Sequence, residues 1–415
     1  SLQHPVPLSL QDIQQKVVDP DTVLLEYALG PDNCYLWVVT SDSLQSQRLP
    51  SSTLGIKEAT SKLIGMLTAT GGTVRSFEAE AQKLSKMLLP PIAVSTLKSK
   101  RTLLVVTNGI LQSLPFSILS LPGESASYTP LVVSHNLISL PSASTLNILR
   151  DESRNRWQPV TKTIMVLADP VFSDKDERVT GSSPTRRPIN PRKKVQRTSS
   201  TFPQQSESEI AKRLALGDRQ TRAGVRLLRL PGTRLEAQMI KQLAPDANVA
   251  LDFDANLTTA TSPDMATYRI VHFATHGIAP DDHPELSGVV LSLVNERGEA
   301  REGYLGLPMV YNLNLPVDLV VLSACETGLG EEVRGEGLIG LTRGFMYAGA
   351  PRVIASLWKV REGATEELMR RFYTAIFKKG MKPAAALSYA EASMWREQKW
   401  APSDWSGFIF FGEWQ

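Results

Sequence analysis

Apolar residues in the opening stretch of the chain come in short runs closed by turn residues. Thr22 to Leu29, Cys34 to Thr40 and Leu44 to Leu49 read as strands, and Gly30-Pro31-Asp32-Asn33 closes the first hairpin. Ser52 to Met66 and Val74 to Leu88 read as helices. Thr102 to Thr107 is then a continuous β-rich apolar run ended by Asn108-Gly109, the pattern of a strand covered on both faces. Ile164 to Leu167 is another, stopped by Asp169-Pro170. Beyond it the periodic pattern lapses from 172 to 206 and resumes with a helix at Arg234 to Leu243 and an extended stretch at Leu251 to Asp254. A clear strand from Tyr268 to Ala274 runs into Thr275-His276-Gly277, and Asp318 to Ala324 runs into Cys325. A helix from Glu336 to Ala348, a strand from Arg352 to Leu357 and helices from Ala364 to Lys378 and Pro383 to Arg396 complete the chain. Alternation of buried strands with helices predicts an α/β fold with a mostly parallel sheet flanked by helices.

The segment 172–206 is rich in Ser, Thr, Pro, Arg and Lys, which predicts a disordered linker and an exposed site for nicking, self-cleavage included. It also explains the charge. Residues 178 to 206 carry seven Arg or Lys and no acid, so removing that +7 from the net +3 leaves the rest of the chain at −4. That balance does not call for a nucleic-acid partner. At 415 residues and 42% hydrophobic the chain can bury a large core. Its longest apolar runs fall far short of the roughly 20 residues that cross a bilayer, so no membrane partner is expected. It opens on Ser1 without a signal-peptide succession and reads as an excised part of a longer cytoplasmic protein. Two cysteines, Cys34 and Cys325, do not make a disulfide framework. The absence of CxxC and HExxH patterns predicts no metal, and no cofactor is expected.

Loops beyond the carboxyl ends of parallel strands gather reactive groups, because the strands hold them while the loops vary. His276 and Cys325 both stand at such ends, with the His first by 49 residues. A thiolate nucleophile needs an adjacent imidazole to take its proton and donors for the oxyanion. Cys325 and His276 meet the first requirement, and the backbone N–H groups of Gly277 and Cys325 meet the second. Order and spacing are similar to those of caspases, although the local caspase signature around the cysteine is absent. A buried Cys or a structural His is the commoner fate of either residue alone; the pairing at matching strand ends is what favours chemistry. His272, four residues back along the same strand, reads as a satisfied core group, and His283 as solvated.

Several separated blocks carry a family resemblance: Leu114-Pro115-Phe116, Leu230-Pro231-Gly232-Thr233 with Glu236-Ala237, His272 to Gly277, Leu322 to Gly328, Gly335-Glu336-Gly337, Ala355 to Trp358 and Phe408 to Trp414. In this order they resemble the CHAT family, caspase-like peptidases of the clan of caspases, metacaspases and separase, commonly found downstream of tetratricopeptide repeats. The resemblance implies a caspase-hemoglobinase fold with an N-terminal pseudo-caspase half, 1–157, packed on an active half, 158–415. It implies peptide-bond hydrolysis by His276 and Cys325. It places a P1 pocket at Ser323, Ser356 and Trp358, with Glu326, Arg361 and Glu362 beside it. Where relatives often carry aspartates after the Trp, this chain has Lys359-Val360-Arg361-Glu362, which weakens the anchor for a basic P1 and favours an apolar one such as Leu. The implied partners are a protein substrate, as with gasdermin-like pore formers in antiviral defence, and upstream repeats or a regulatory protein. A catalytically idle scaffold is the alternative, and an acyltransferase or esterase using the same dyad is chemically possible. Intact His276, Gly277 and Cys325 weigh against the scaffold.

Overall fold

The computed structural model describes residues 6–68, 74–123, 127–155, 161–180, 227–279, 283–323 and 336–415. The strands predicted from the apolar runs are present, and most of them join one sheet. At one edge β1 (Thr22–Leu29), β2 (Cys34–Val39) and β3 (Leu44–Arg48) form an antiparallel meander. On its other side β1 runs parallel to β4 (Thr102–Val106), and β4 to β5 (Asn136–Leu140). β6 (Lys162–Pro170), β7 (Asn248–Asp252) and β8 (Tyr268–Ala274) are mutually parallel, with β6 in the middle. β9 (Gly277–Ile278), β10 (Gly288–Val290) and β11 (Tyr304–Gly306) form a small separate antiparallel sheet just beyond the end of β8. β12 (Leu319–Leu322) and β13 (Arg352–Ser356) extend the parallel run from β8. The last strand, β14 (Phe408–Gly412), fits between β5 and β13, giving the order β3-β2-β1-β4-β5-β14-β13-β12-β8-β6-β7.

β14 is parallel to β5 and antiparallel to β13. The parallel strands of the two halves therefore point in opposite directions, and their carboxyl ends lie at opposite edges of the sheet. β4, β12 and β14 are buried along their whole length, which is why they read as unbroken apolar runs. A single sheet and one hydrophobic core run across the boundary at 157/158.

The helices cover both halves. α1 (Thr53–Thr68) and α2 (Val74–Leu88) pack together in the N-terminal half, where Phe77, Ala81, Leu84 and Leu88 give α2 its buried stripe. α3 (Ala143–Asn155) follows β5. In the C-terminal half come α4 (Pro231–Leu243), α5 (Glu336–Ala348), α6 (Glu362–Lys379) and α7 (Pro383–Arg396). α6 packs on α4 and α7, and α7 reaches across to β5 and the turn Leu131–Val133.

Several elements lie outside the sequence expectation, among them β5, α3, the small sheet β9–β11 and β14. β5 alternates half-buried with buried positions around Asn136 and Ser139, so no apolar run marks it. The segment read as a linker from 172 begins folded: Phe172 is buried, and Arg178 is held by three aspartates. The rest of that segment, 181–206, lies outside the described residues. Among the described residues no helix is long and apolar enough to cross a membrane, and no cluster of His, Cys, Asp and Glu is arranged to hold a metal ion. Cys34 is buried with its Sγ 3.1 Å from Thr53 Oγ1.

Candidate active site

Four neighbouring strands, β6, β8, β12 and β13, end at the same edge of the sheet and set the geometry of the site. β8 delivers His276, which is buried. Its own carbonyl accepts from the Val290 N–H at 2.8 Å, and Thr275 Oγ1 donates to the Val290 carbonyl at 2.5 Å, so β10 pins the turn on both sides. Gly277 follows and pairs with Val289. The His276 ring lies 5.1 Å from that of Phe172, tilted by 53°. Its Nε2 is 2.7 Å from the Leu228 carbonyl oxygen. A carbonyl only accepts, so the proton of the neutral ring sits on Nε2, and Nδ1 carries the lone pair.

β12 delivers Ser323, whose N–H donates to the Phe273 carbonyl at 3.0 Å and whose Oγ donates to Glu236 Oε2 at 3.2 Å. Ser323 is the last described residue before 324–335. Cys325 and Glu326 therefore lie outside the described residues. Glu236, from the second turn of α4, is buried beneath the site. Its Oε1 stands 3.0 Å from His272 Nε2, in close electrostatic contact though outside hydrogen-bond alignment, and His272 Nδ1 meets the Tyr373 hydroxyl at 2.7 Å. Burial, joined by the charge of Glu236, pushes the Tyr373 hydroxyl well above the usual range. The relay Ser323–Glu236–His272–Tyr373 thus ties β12, α4, β8 and α6 into one polar unit below the end of β12. His272 is the core group the sequence suggested, and His283 is exposed beside Glu285.

β13 delivers Ser356, whose Oγ donates to the Trp358 carbonyl at 2.6 Å; the Trp358 indole N–H donates to the Ser403 carbonyl at 3.0 Å. Glu362 Oε2 accepts the Gly232 N–H at 2.9 Å across the start of α4. A Cβ at position 232 would lie 2.5 Å from that carboxylate oxygen and 2.9 Å from Glu362 Cβ, so the close seat of Glu362 depends on the glycine. Arg361 turns elsewhere: its Nε is 2.8 Å from Oδ1 of the buried Asp404 and its Nη2 2.5 Å from Oδ2. A cleft opens among these groups. Of the expected substrate contacts, Ser323, Ser356, Trp358 and Glu362 line it together with His276, whereas Arg361 does not. Leu230, Gly232, Thr233, Glu236, Lys359, Val360 and Thr365 complete the walls.

β6 delivers Asp169, fully buried in a left-handed conformation (φ 46°) at a break in the ladder register. Three guanidinium groups converge on it. Arg229 binds both carboxylate oxygens at 3.0 Å, Arg234 Nε donates at 2.8 Å, and Arg178 Nη1 lies 3.1 Å away. Arg178 and Arg234 also share Asp252. Burial pushes the Asp252 carboxyl up, but hydrogen bonds from Arg234 and Arg178 outweigh it and hold the group below the usual range. In the sequence this aspartate read only as a stop signal before Pro170; a charge closing a wholly apolar strand was the hint.

The family model of the CHAT domain matches residues 78–413, most of the chain. The chain belongs to the CHAT family. Among curated proteins it is similar to tetratricopeptide repeat protein 28 of Homo sapiens, 32% identical over 145 residues, 35% of this chain and 5% of that protein. The Mus musculus protein of the same name is 35% identical over 113 residues, 27% of this chain and 4% of that protein. The CHAT chain thus spans about a twentieth of the length of these relatives. Among solved structures it is similar to the separase of a Saccharomyces cerevisiae separase-securin complex, with a TM-score of 0.53 at 7% identity, over 97% of this chain and 30% of that one. That likeness establishes the fold: the mixed, mostly parallel sheet with flanking helices is caspase-like. The family read from the sequence blocks, and its association with repeat proteins, are borne out.

Proposed function

We propose that this CHAT domain is a cysteine endopeptidase in which His276 is the general base and Cys325 the nucleophile. The observation that carries the reading is the state of His276. It stands at the carboxyl end of β8 on the wall of a cleft, with Nε2 engaged by a carbonyl so that Nδ1 holds the lone pair, and the wall continues to Ser323, two residues before Cys325.

In the reaction Nδ1 takes the thiol proton and the thiolate sulfur attacks the scissile carbonyl carbon. The oxyanion is held by the backbone N–H groups of Gly277 and Cys325. As the C–N bond breaks, the imidazolium returns its proton to the leaving amine, leaving a thioester on Cys325. A water then gives its proton to His276 and attacks the thioester, which releases the carboxylate product and restores the thiol. Leu230, Trp358 and Val360 supply apolar wall, the carboxylates of Glu236 and Glu362 are committed to Ser323 and Gly232, and Arg361 is committed to Asp404. These commitments support an apolar P1 residue such as Leu. The substrate class is a specific protein presenting an extended segment, a gasdermin-like pore former in a defence or cell-death setting within the cytoplasm. Control comes from upstream tetratricopeptide repeats or a regulatory partner.

The test is digestion of a proteome-derived peptide library by the chain and by Cys325→Ala, with product termini read by mass spectrometry. Products that need Cys325 and carry apolar P1 residues are expected. Dominant Arg at P1 would remove the apolar assignment, and absence of products even with the repeats restored would leave the scaffold reading.

A further inference from the structure

His276 is fixed through a segment anchored at its ends, where Leu227 packs on the Phe172 cluster and Leu230 is buried, with Leu228 exposed between them. Residues 227–230 belong to no helix or strand, and the Leu228 side chain is 54% exposed. Yet the Leu228 carbonyl must sit within 2.7 Å of Nε2 to hold the ring in one tautomer. The adjacent residue, Arg229, forms the one two-point ion pair that Asp169 makes, with Nε on Oδ1 and Nη2 on Oδ2, both at 3.0 Å. A guanidinium bound at two points to a rigid carboxylate fixes orientation as well as position. Asp169 is rigid: it is fully buried, its N–H donates to Thr233 Oγ1 at 3.0 Å, and Arg178 and Arg234 hold it from other sides. Three residues further on, Phe172 lies against the face of the same imidazole.

We propose that Asp169 acts through Arg229 as a positioning residue for the reaction, holding the Leu228 carbonyl on His276 Nε2 while the Asp169–Phe172 segment braces the ring face. The proposal rests on the dyad reading above. The arrangement suits a base, because the Nε2–H bond to a carbonyl persists when Nδ1 gains the thiol proton. The imidazolium then forms without any group having to reorient. Neither Asp169 nor Arg229 touches the reacting atoms; each acts on them through the carbonyl.

The experiment compares the intact chain with Arg229→Ala and Arg229→Lys, and with Asp169→Asn should Arg229→Ala fail to fold. Two quantities are read: kcat and KM on a peptide found in the library digestion, and the His276 ring N–H proton resonance, assigned by its absence in His276→Ala. Arg229→Ala is expected to lower kcat roughly ten- to a hundredfold, the size of effect that a misplacement of about 1 Å produces, with KM changed less than about threefold. The ring N–H signal is expected to broaden into solvent exchange, and Arg229→Lys to fall between, since an ammonium gives one contact where the guanidinium gives two. An unchanged N–H signal in a folded Arg229→Ala chain overturns the proposal, whatever happens to kcat. A lost signal with unchanged kcat overturns it as well. If the wild-type chain cleaves nothing even with the repeats restored, the dyad reading fails on its own, and the resonance alone still decides whether Asp169 and Arg229 hold the imidazole.

Discussion

His135 and His276 are equally buried, at 4% and 3% exposure, and the contrast between them lies in where their strands place them and what their ring nitrogens meet. His135 immediately precedes β5, at the amino end of a parallel strand. Its Nε2 lies 3.1 Å from the Leu97 carbonyl, and its Nδ1 is 2.8 Å from Ser134 Oγ and 3.2 Å from the Leu131 carbonyl. Both ring nitrogens serve to join the end of the helix Pro91–Leu97 to the turn Leu131–Val133. His276 follows the carboxyl end of β8, gives one nitrogen to a carbonyl, and turns the wall of a cleft with the rest of its ring. The same holds for the two halves of the sheet. β4 is as apolar as β12, but the carboxyl ends of β4 and β5 face the opposite edge, away from the cleft. Burial and strand pattern are shared by the halves; the polar groups that stand at the strand ends are not.

The widest separation is expected in catalysis. His276→Ala should lower kcat by about 10⁴-fold or more, as the loss of a catalytic base does in comparable hydrolases. His135→Gln should leave kcat within about twofold when both variants are assayed folded at 25 °C, because no part of that ring approaches the cleft. Comparable losses for the two would end the distinction between them.

Next in size is the relay beneath the site. Glu236→Ala leaves His272 buried without its carboxylate and Ser323 Oγ without its acceptor. It is expected to cost about 2–5 kcal/mol in urea unfolding, since two buried polar groups each lose a partner at about 1–3 kcal/mol apiece. A cost below about 1 kcal/mol, the size of an exposed ion pair, would mean that the relay is not a unit.

Much of this was legible beforehand for a physical reason. Strands buried on both faces are written as continuous apolar runs, so β4, β8, β12 and β13 could be read off, and so could the residues that follow them, His276 and Ser323 among them. β14 was legible only as a family block. Its neighbours come from opposite ends of the chain, and nothing local says that a C-terminal strand will join β5 to β13. The Asp169 hub was illegible because its partners, Arg178, Arg229, Arg234 and Asp252, are distant in sequence and each reads as an ordinary surface charge. Arg361 misled for the converse reason: it sits beside the cleft residues in sequence, but Asp404 draws its guanidinium away.

For the structural histidine the expected effect is smaller and lies in stability. His135→Ala removes hydrogen bonds to the carbonyls of the buried residues Leu97 and Leu131. A loss of about 1–3 kcal/mol follows, with kcat unchanged in the folded fraction. A matching fall in kcat would tie the N-terminal half to the site more closely than the sheet polarity allows.

The finest test lies where the halves touch. Glu391 belongs to α7, the helix that packs across onto β5, and it is almost fully buried, with no hydrogen-bond partner for its Oε1 among the described residues. Burial pushes its carboxyl well above the usual range. The folded chain therefore keeps this proton at pH values where the unfolded chain, with an ordinary carboxyl near 4.3, has lost it. Between those values the unfolded state binds fewer protons than the folded one, so this group makes stability fall as pH rises. Its favourable contribution is complete below the unfolded value and disappears as pH climbs toward the folded one. Glu391→Gln, which cannot titrate, should match the parent chain most nearly below pH 4.5 and gain on it steadily from there to pH 8, as measured by urea unfolding across that range. Parallel stability curves for the two chains would show that Glu391 is ionised in the fold, and that the contact between the halves carries a charge that the buried environment argues against.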